Sequence, residues 1–189
     1  MHKIWPILFF TAVFSQYCRA SGLADSPDGK WSIQGTREKT LPAVALLNSG
    51  GRPQVVIDRD TTGSKRLTAV WSPDSQKVVL LDQAPLGSGI TAAWYDGTRW
   101  HASVESDSDL EQAQQLARSQ GISGQLKAEQ RTLGNWISGD TVQIQGTLRY
   151  LGGQEFSYSY NLQIVPGSYP MNRGGFETGG LKATAFRTR

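Results

Sequence analysis

The segment Ser26-Pro27-Asp28-Gly29-Lys30 recurs as Ser72-Pro73-Asp74-Ser75-Gln76, an offset of 46 residues. A fixed-period repeat is a strong constraint, because each copy has to fold as the same supersecondary unit. Each copy leads into a strand-like run, Trp31-Ser32-Ile33-Gln34 in the first and Val78-Val79-Leu80-Leu81 in the second. A second hairpin follows in both. One runs Val44 to Leu47, turns at Asn48-Ser49-Gly50-Gly51 and returns through Val55 to Asp58. The other runs Ile90 to Trp94, turns at Tyr95-Asp96-Gly97-Thr98 and returns through Trp100 to Val104. Arg52 and Arg99 are 47 residues apart, as are Asp60 and Asp107. The shared chemistry is that of turns. Proline presets φ at the first corner, and Asp followed by Gly accepts the reversal. Asp96-Gly97 is likewise a favoured hairpin pair. Unit two has a strand ahead of its turn, Leu67 to Trp71, which unit one is expected to lack.

Trp71-Ser72-Pro73-Asp74-Ser75-Gln76-Lys77 resembles the W-S-P-D-G-x turn of a β-propeller blade. The likeness is to the Tol-type periplasmic propellers and to the propeller domains of prolyl oligopeptidases, and it covers residues 26–107. It implies blade-like local topology. It implies no functional residue, because the motif marks a turn, closure takes about four blades, and no Gly-x-Ser-x-Gly elbow occurs in the sequence.

Beyond Asp107 the pattern changes. Ser108-Asp109-Leu110-Glu111 reads as a capping box, and Leu110, Ala113, Leu116 and Ala117 share one helical face, so a helix is expected over 108–120. The acidic cluster Glu105, Asp107, Asp109 and Glu111 lacks the central glycine of a calcium loop and suits a helix N-terminus. Residues 136–165 read as a long hairpin. Val142, Ile144, Gly146, Leu148 and Tyr150 alternate with polar residues, Leu151-Gly152-Gly153-Gln154 turns the chain, and Phe156, Tyr158, Tyr160, Leu162 and Ile164 alternate on the return. Period two over both runs indicates one buried and one wet face. The aromatic stripe Phe156-Tyr158-Tyr160 is expected in the core against the helix. Residues 166–189 are glycine-rich and basic, and read as a flexible, solvated tail. A second reading makes that tail a docking segment for an acidic partner or an anionic surface.

Residues 1–20 carry a short basic head, His2-Lys3, an apolar run Ile4 to Phe14, and small residues before the Ala20–Ser21 bond. This is the pattern of a cleavable export signal, and its apolar run is too short to span a bilayer. Tyr17 before Cys18 argues against a lipid anchor. Cleavage after Ala20 would remove the only cysteine together with Lys3 and Arg19. That leaves 17 basic against 16 acidic residues, a charge of +1 rather than +3. So balanced a charge gives little support to a nucleic-acid partner. Disulfides would be impossible, and no transmembrane anchor would remain. His101 would be the only histidine and is expected to be half-exposed on a strand. Zinc sites and Ser-His-Asp triads then lose their material.

The fold expected is mainly β: two propeller-blade-like antiparallel β units, one short α-helix and a C-terminal β-hairpin, in a single domain over 21–165. No catalytic, metal or cofactor-binding residue is assigned, and no cofactor is expected. The function expected is that of a non-catalytic, extracytoplasmic protein-binding or envelope-associated module whose partner is another extracytoplasmic protein. Trp94, Tyr95, Arg99 and Trp100 around one hairpin tip are the candidate partner-binding residues, since such types dominate interface energies. One alternative is an inhibitor or immunity-type protein that uses the same hairpin. The other is a hydrolase with a carboxylate pair such as Asp58 and Asp60, or Asp74 and Asp82.

Overall fold

A computed structural model of the chain describes residues 24–36, 43–58, 66–167, 169–170, 177 and 180–189. The export segment at 1–20 lies outside them. So does Asp60, and with it the Asp58–Asp60 pair.

The described residues form three antiparallel four-stranded sheets and one helix. The first sheet holds β1 (Ala24–Asp25), β2 (Trp31–Thr36), β3 (Ala43–Asn48) and β4 (Pro53–Asp58). The second holds β5 (Arg66–Trp71), β6 (Lys77–Gln83), β7 (Ser88–Tyr95) and β8 (Trp100–Val104). Helix α1 (Ser108–Ser119) leads to the third, built from β9 (Leu126–Ser138), β10 (Thr141–Tyr150), β11 (Glu155–Ile164) and β12 (Leu181–Thr188). Strands are neighbours in space in the order they occur in the chain, so each sheet is a meander.

The two repeat turns are built alike. The Ser26 hydroxyl donates to Asp28 Oδ1 at 2.8 Å and accepts from the Trp31 amide, while the Lys30 amide donates to Asp28 Oδ1. In the second unit Ser72 donates to Asp74 Oδ1 at 2.5 Å, Lys77 N–H donates to Ser72, and Gln76 N–H donates to Asp74. The last corner is left-handed in both, with φ of 70° at Gly29 and 60° at Ser75. A serine is tolerated there because its hydroxyl accepts the Asp28 amide at 3.1 Å, tying one turn to the other. Unit one does have a first strand: Ala24 and Asp25 pair with Ile33 and Ser32.

The second sheet is the middle layer. Val78, Leu80, Ala93, Trp71 and Trp100 pack with Ile33, Val44, Leu46 and Ile57 of the first sheet. Val79, Leu81, Ile90, Ala92 and Trp94 pack with Ala113 and Ala117 of α1 and with β10 and β11. Burial on both faces explains why Val78-Val79-Leu80-Leu81 is continuously apolar.

In α1 the expected apolar face packs inward, with Ala113 and Ala117 buried and Leu110 and Leu116 half-buried, but the capping box does not form. The N-cap is Asp107 with no side-chain cap bond, and Asp109 turns into the protein. The expected hairpin forms from β10 and β11, with Thr141 opposite Gln163 and Arg149 opposite Glu155. Phe156, Tyr158 and Tyr160 are buried, as expected. The Tyr158 ring lies over Gly146 on β10, where any side chain would collide with it. Two strands go beyond the expected hairpin. β9 (Leu126–Ser138) pairs with β10 as an unexpected third strand. The tail expected to be flexible from Pro166 instead ends in β12, which pairs antiparallel with β11 and stacks Phe186 on Tyr160 at 4.8 Å.

Candidate functional site

The hairpin tip places its aromatic residues inside. Tyr95 and Trp100 are cross-strand partners, as are Trp94 and His101, and the two pairs face opposite sides of the sheet. Trp94 is 0% exposed and Trp100 5%. Trp100 packs among Trp31, Trp71 and Tyr95 with centroid distances of 5.2, 6.0 and 5.7 Å. Tyr95 is half-buried, and only Arg99 is fully exposed. Trp94, Tyr95 and Trp100 therefore anchor the middle sheet and leave Arg99 alone outside, so the four residues form no common surface, which corrects the binding site expected there. The pair Asp74 and Asp82 is also not brought together. Asp74 serves the turn before β6 and Asp82 lies near its far end, roughly 25 Å of strand away.

His101 is buried rather than half-exposed. Its Nδ1 faces Glu177 Oε1 at 2.5 Å and its Nε2 faces Asp96 Oδ2 at 2.7 Å, while the ring stacks on Trp94. Two carboxylates on two ring nitrogens suit the imidazolium, in which both nitrogens donate. Burial alone would lower the His101 pKa, but Asp96 and Glu177 raise it overall. The Glu177 amide donates to the Ala102 carbonyl, and Ser103 donates to the Glu177 carbonyl at 2.8 Å, so the cluster pins this point of the C-terminal segment to β8.

A second buried cluster joins β7, β9 and β11 to Glu105, in the connection between β8 and α1. Arg131 donates from Nε to Glu129 Oε1 at 2.8 Å and from its Nη1 to Glu105 and to the Tyr160 hydroxyl. Tyr160 donates to Glu105, Tyr158 donates to Glu129 at 2.6 Å, and Ser88 donates to the other Glu129 oxygen. Burial pushes the Glu105 carboxyl up to about 7, against the pull of Arg131 and Tyr160 and with help from Asp109. Burial raises Asp109 as well. Burial also works against the Arg131 charge, but Tyr160, Glu105 and Glu129 more than offset it and hold the guanidinium cationic. Glu105, Glu129 and Arg131 form part of the wall of a cleft of about 250 Å³, with Ser88 and Asp107 beside them. Sequence reasoning read Glu105 and Asp109 only as helix-end charges. Nothing local marks their partners, which come from up to 55 residues away.

The outer face of the third sheet is polar. Cross-strand register places Thr132, Gln145, Ser159 and Arg187 in one row. Gln143, Asn161 and Thr184 form the next, and Thr141, Gln163 and Lys182 a third. Towards the other end, Gln130, Thr147 and Ser157 continue the pattern. A shallow hollow of about 190 Å³ on this face is lined by Gln130, Thr132, Gln145, Thr147, Ser157 and Arg189. Arg189 reaches back over it, donating to Gln145 Oε1 at 2.5 Å. Arg149 is paired with Glu155 at 2.8 Å. Among the described residues Lys182, Arg187 and Arg189 have no carboxylate partner, so the face carries an excess of positive charge. Asp140 at its edge is occupied by Ser138, Thr141 and Gln163.

Fold and surface together define a mainly β protein of three antiparallel four-stranded sheets with one short helix. Compared with known proteins, the chain matches no family model, no curated protein and no solved structure.

Proposed function

We propose that the protein is a non-catalytic binding module that is exported and associates with the cell envelope. The observation that carries this reading is the outer face of the third sheet. It is broad and four strands wide, hydroxyls and amides cover it and uncompensated cations line its β12 edge, whereas His101 is buried between Asp96 and Glu177 and the Glu105–Arg131 cluster is bonded within itself. The export pattern at residues 1–20 and the cationic strand β12 agree with a role against an anionic envelope surface. The matched turns of residues 24–58 and 66–104 support reading these two meanders as propeller-type blades that form a scaffold. The test is fractionation of cells expressing the full chain. The mature protein is expected to begin near Ser21 and to sediment with the envelope at low salt. A chain that keeps Met1 and stays in the cytoplasm would contradict the proposal.

A second reading is acid–base catalysis at Glu105, favoured by its pKa of about 7 in the wall of a cleft. Glu105→Gln separates the two. Envelope association should survive in this variant if the protein is a binder, and loss of the cellular function with association intact would favour the catalyst.

A further inference from the structure

We infer that the outer face of the third sheet binds an anionic polysaccharide, an inference that rests on the binding-module reading above. Three features of the face select the ligand.

The first is charge. Lys182 and Arg187 project from β12 and Arg189 lies over the hollow, all without a carboxylate partner among the described residues. These cations sit along one edge of the sheet, so a ligand lying across it meets positive charge on one side and neutral polar groups on the other. Carboxylate or sulfate groups on the ligand would neutralise them.

The second is hydrogen-bonding capacity. Gln130, Gln143 and Asn161 each offer a carbonyl acceptor and an amide donor, Gln145 adds its amide and Gln163 its carbonyl oxygen, and Thr132, Thr147, Ser157 and Thr184 add hydroxyls. Strands about 4.8 Å apart set these groups out as a flat lattice. A chain of hydroxyl-bearing rings can engage such a lattice at every ring. A plain polyanion uses the cations alone.

The third is what the face lacks. Its outward rows hold no aromatic or methionine anchor, and among the described residues its exposed large apolar groups, Ile137, Leu151 and Val165, lie at the strand ends. Protein interfaces concentrate energy in aromatic and apolar anchors, single-stranded nucleic acid needs stacking platforms, and insertion into lipid needs apolar side chains. The phenyl and phenol rings of this sheet point the other way, stacked in the core.

The experiment titrates the mature chain with heparin as the acidic polysaccharide, with polyglutamate as a sugar-free polyanion, and with neutral dextran. Binding to heparin is expected, strongest at low salt, with polyglutamate weaker and dextran undetectable. The triple variant Lys182→Ser, Arg187→Ser, Arg189→Ser should lower heparin affinity by about tenfold or more. The double variant Gln143→Ala, Asn161→Ala should weaken heparin several-fold and leave polyglutamate unchanged. Melting temperatures of both variants are compared with wild type, and single substitutions replace any variant that melts early. No heparin binding, equal affinity for polyglutamate, or an unaffected double variant would overturn the assignment. If heparin binding fails while the chain still sediments with the envelope, the polysaccharide assignment falls and the binding-module reading stands. If sedimentation itself fails, that broader reading falls.

Discussion

Glu105 and His101 both hold protons more tightly in the folded chain than in an unfolded one, for different reasons. Glu105 is raised by loss of water, His101 by two carboxylates that outweigh that loss. Both therefore contribute stability at acid pH that is lost as pH rises through their folded pKa values. For Glu105 the window runs from its ordinary 4.5 to about 7. The shift is worth about 3 kcal/mol at about 1.4 kcal/mol per pKa unit. At the other end, Asp28, Asp96 and Asp140 are held below the usual carboxylate range, chiefly by hydrogen bonds from Ser26, Thr98 and Ser138, so their contribution is lost only as pH falls below about 4. Urea unfolding should thus show stability falling between pH 5 and pH 8, and Glu105→Gln should remove a large part of that fall. An identical pH slope in wild type and variant would contradict the burial of this carboxyl.

Among the elements, β12 carries a specific cost. Phe186 stacks on Tyr158 and Tyr160 from a strand that pairs with β11. Phe186→Ala should destabilise the protein by about 2 kcal/mol. A flexible tail would give no change in the urea midpoint, and that result would remove β12 from the fold. The strands that sequence periodicity reveals are those whose inward positions are all apolar, as in β10 and β11. The doubly buried β6 shows as an unbroken apolar run, and the repeat turns show through their Ser, Pro and Asp. β9 escapes because Glu129 and Arg131 occupy its inward positions and its register shifts against β10. β12 escapes because Ala185, at φ 55°, adds a residue between the inward Ala183 and Phe186 and breaks the alternation. The capping box misleads because the N-cap is Asp107, one residue early, so Ser108 falls in the first turn and its hydroxyl turns to Asp109. That cluster, like the pairing of His101 with Glu177, depends on contacts between distant segments that no local pattern encodes.

On the scale of the whole molecule, the middle sheet couples the two cores. Val78 and Leu80 serve one core, and Val79 and Leu81, on the opposite face of the same strand, serve the other. Neither core can melt without exposing part of its neighbour. Tryptophan fluorescence, dominated by Trp31, Trp71 and Trp100 on one side and Trp94 and Trp136 on the other, should therefore lose signal in the same transition as far-ultraviolet circular dichroism. Two separated transitions would show that the sheets fold independently. The same layering turns one side of the third sheet towards the middle sheet and leaves the other to solvent, which is why that outer face is the surface assigned to binding.

Site-specific photo-crosslinking in cells tests that assignment most directly. A benzophenone side chain is placed at Thr147 or Thr184 on the outer face, at Thr98 on the hairpin tip, and at Asp107 on the rim of the cleft. Adducts to an envelope component from Thr147 and Thr184, and none from Thr98 or Asp107, are the predicted result. Adducts confined to Thr98 or Asp107 would contradict it.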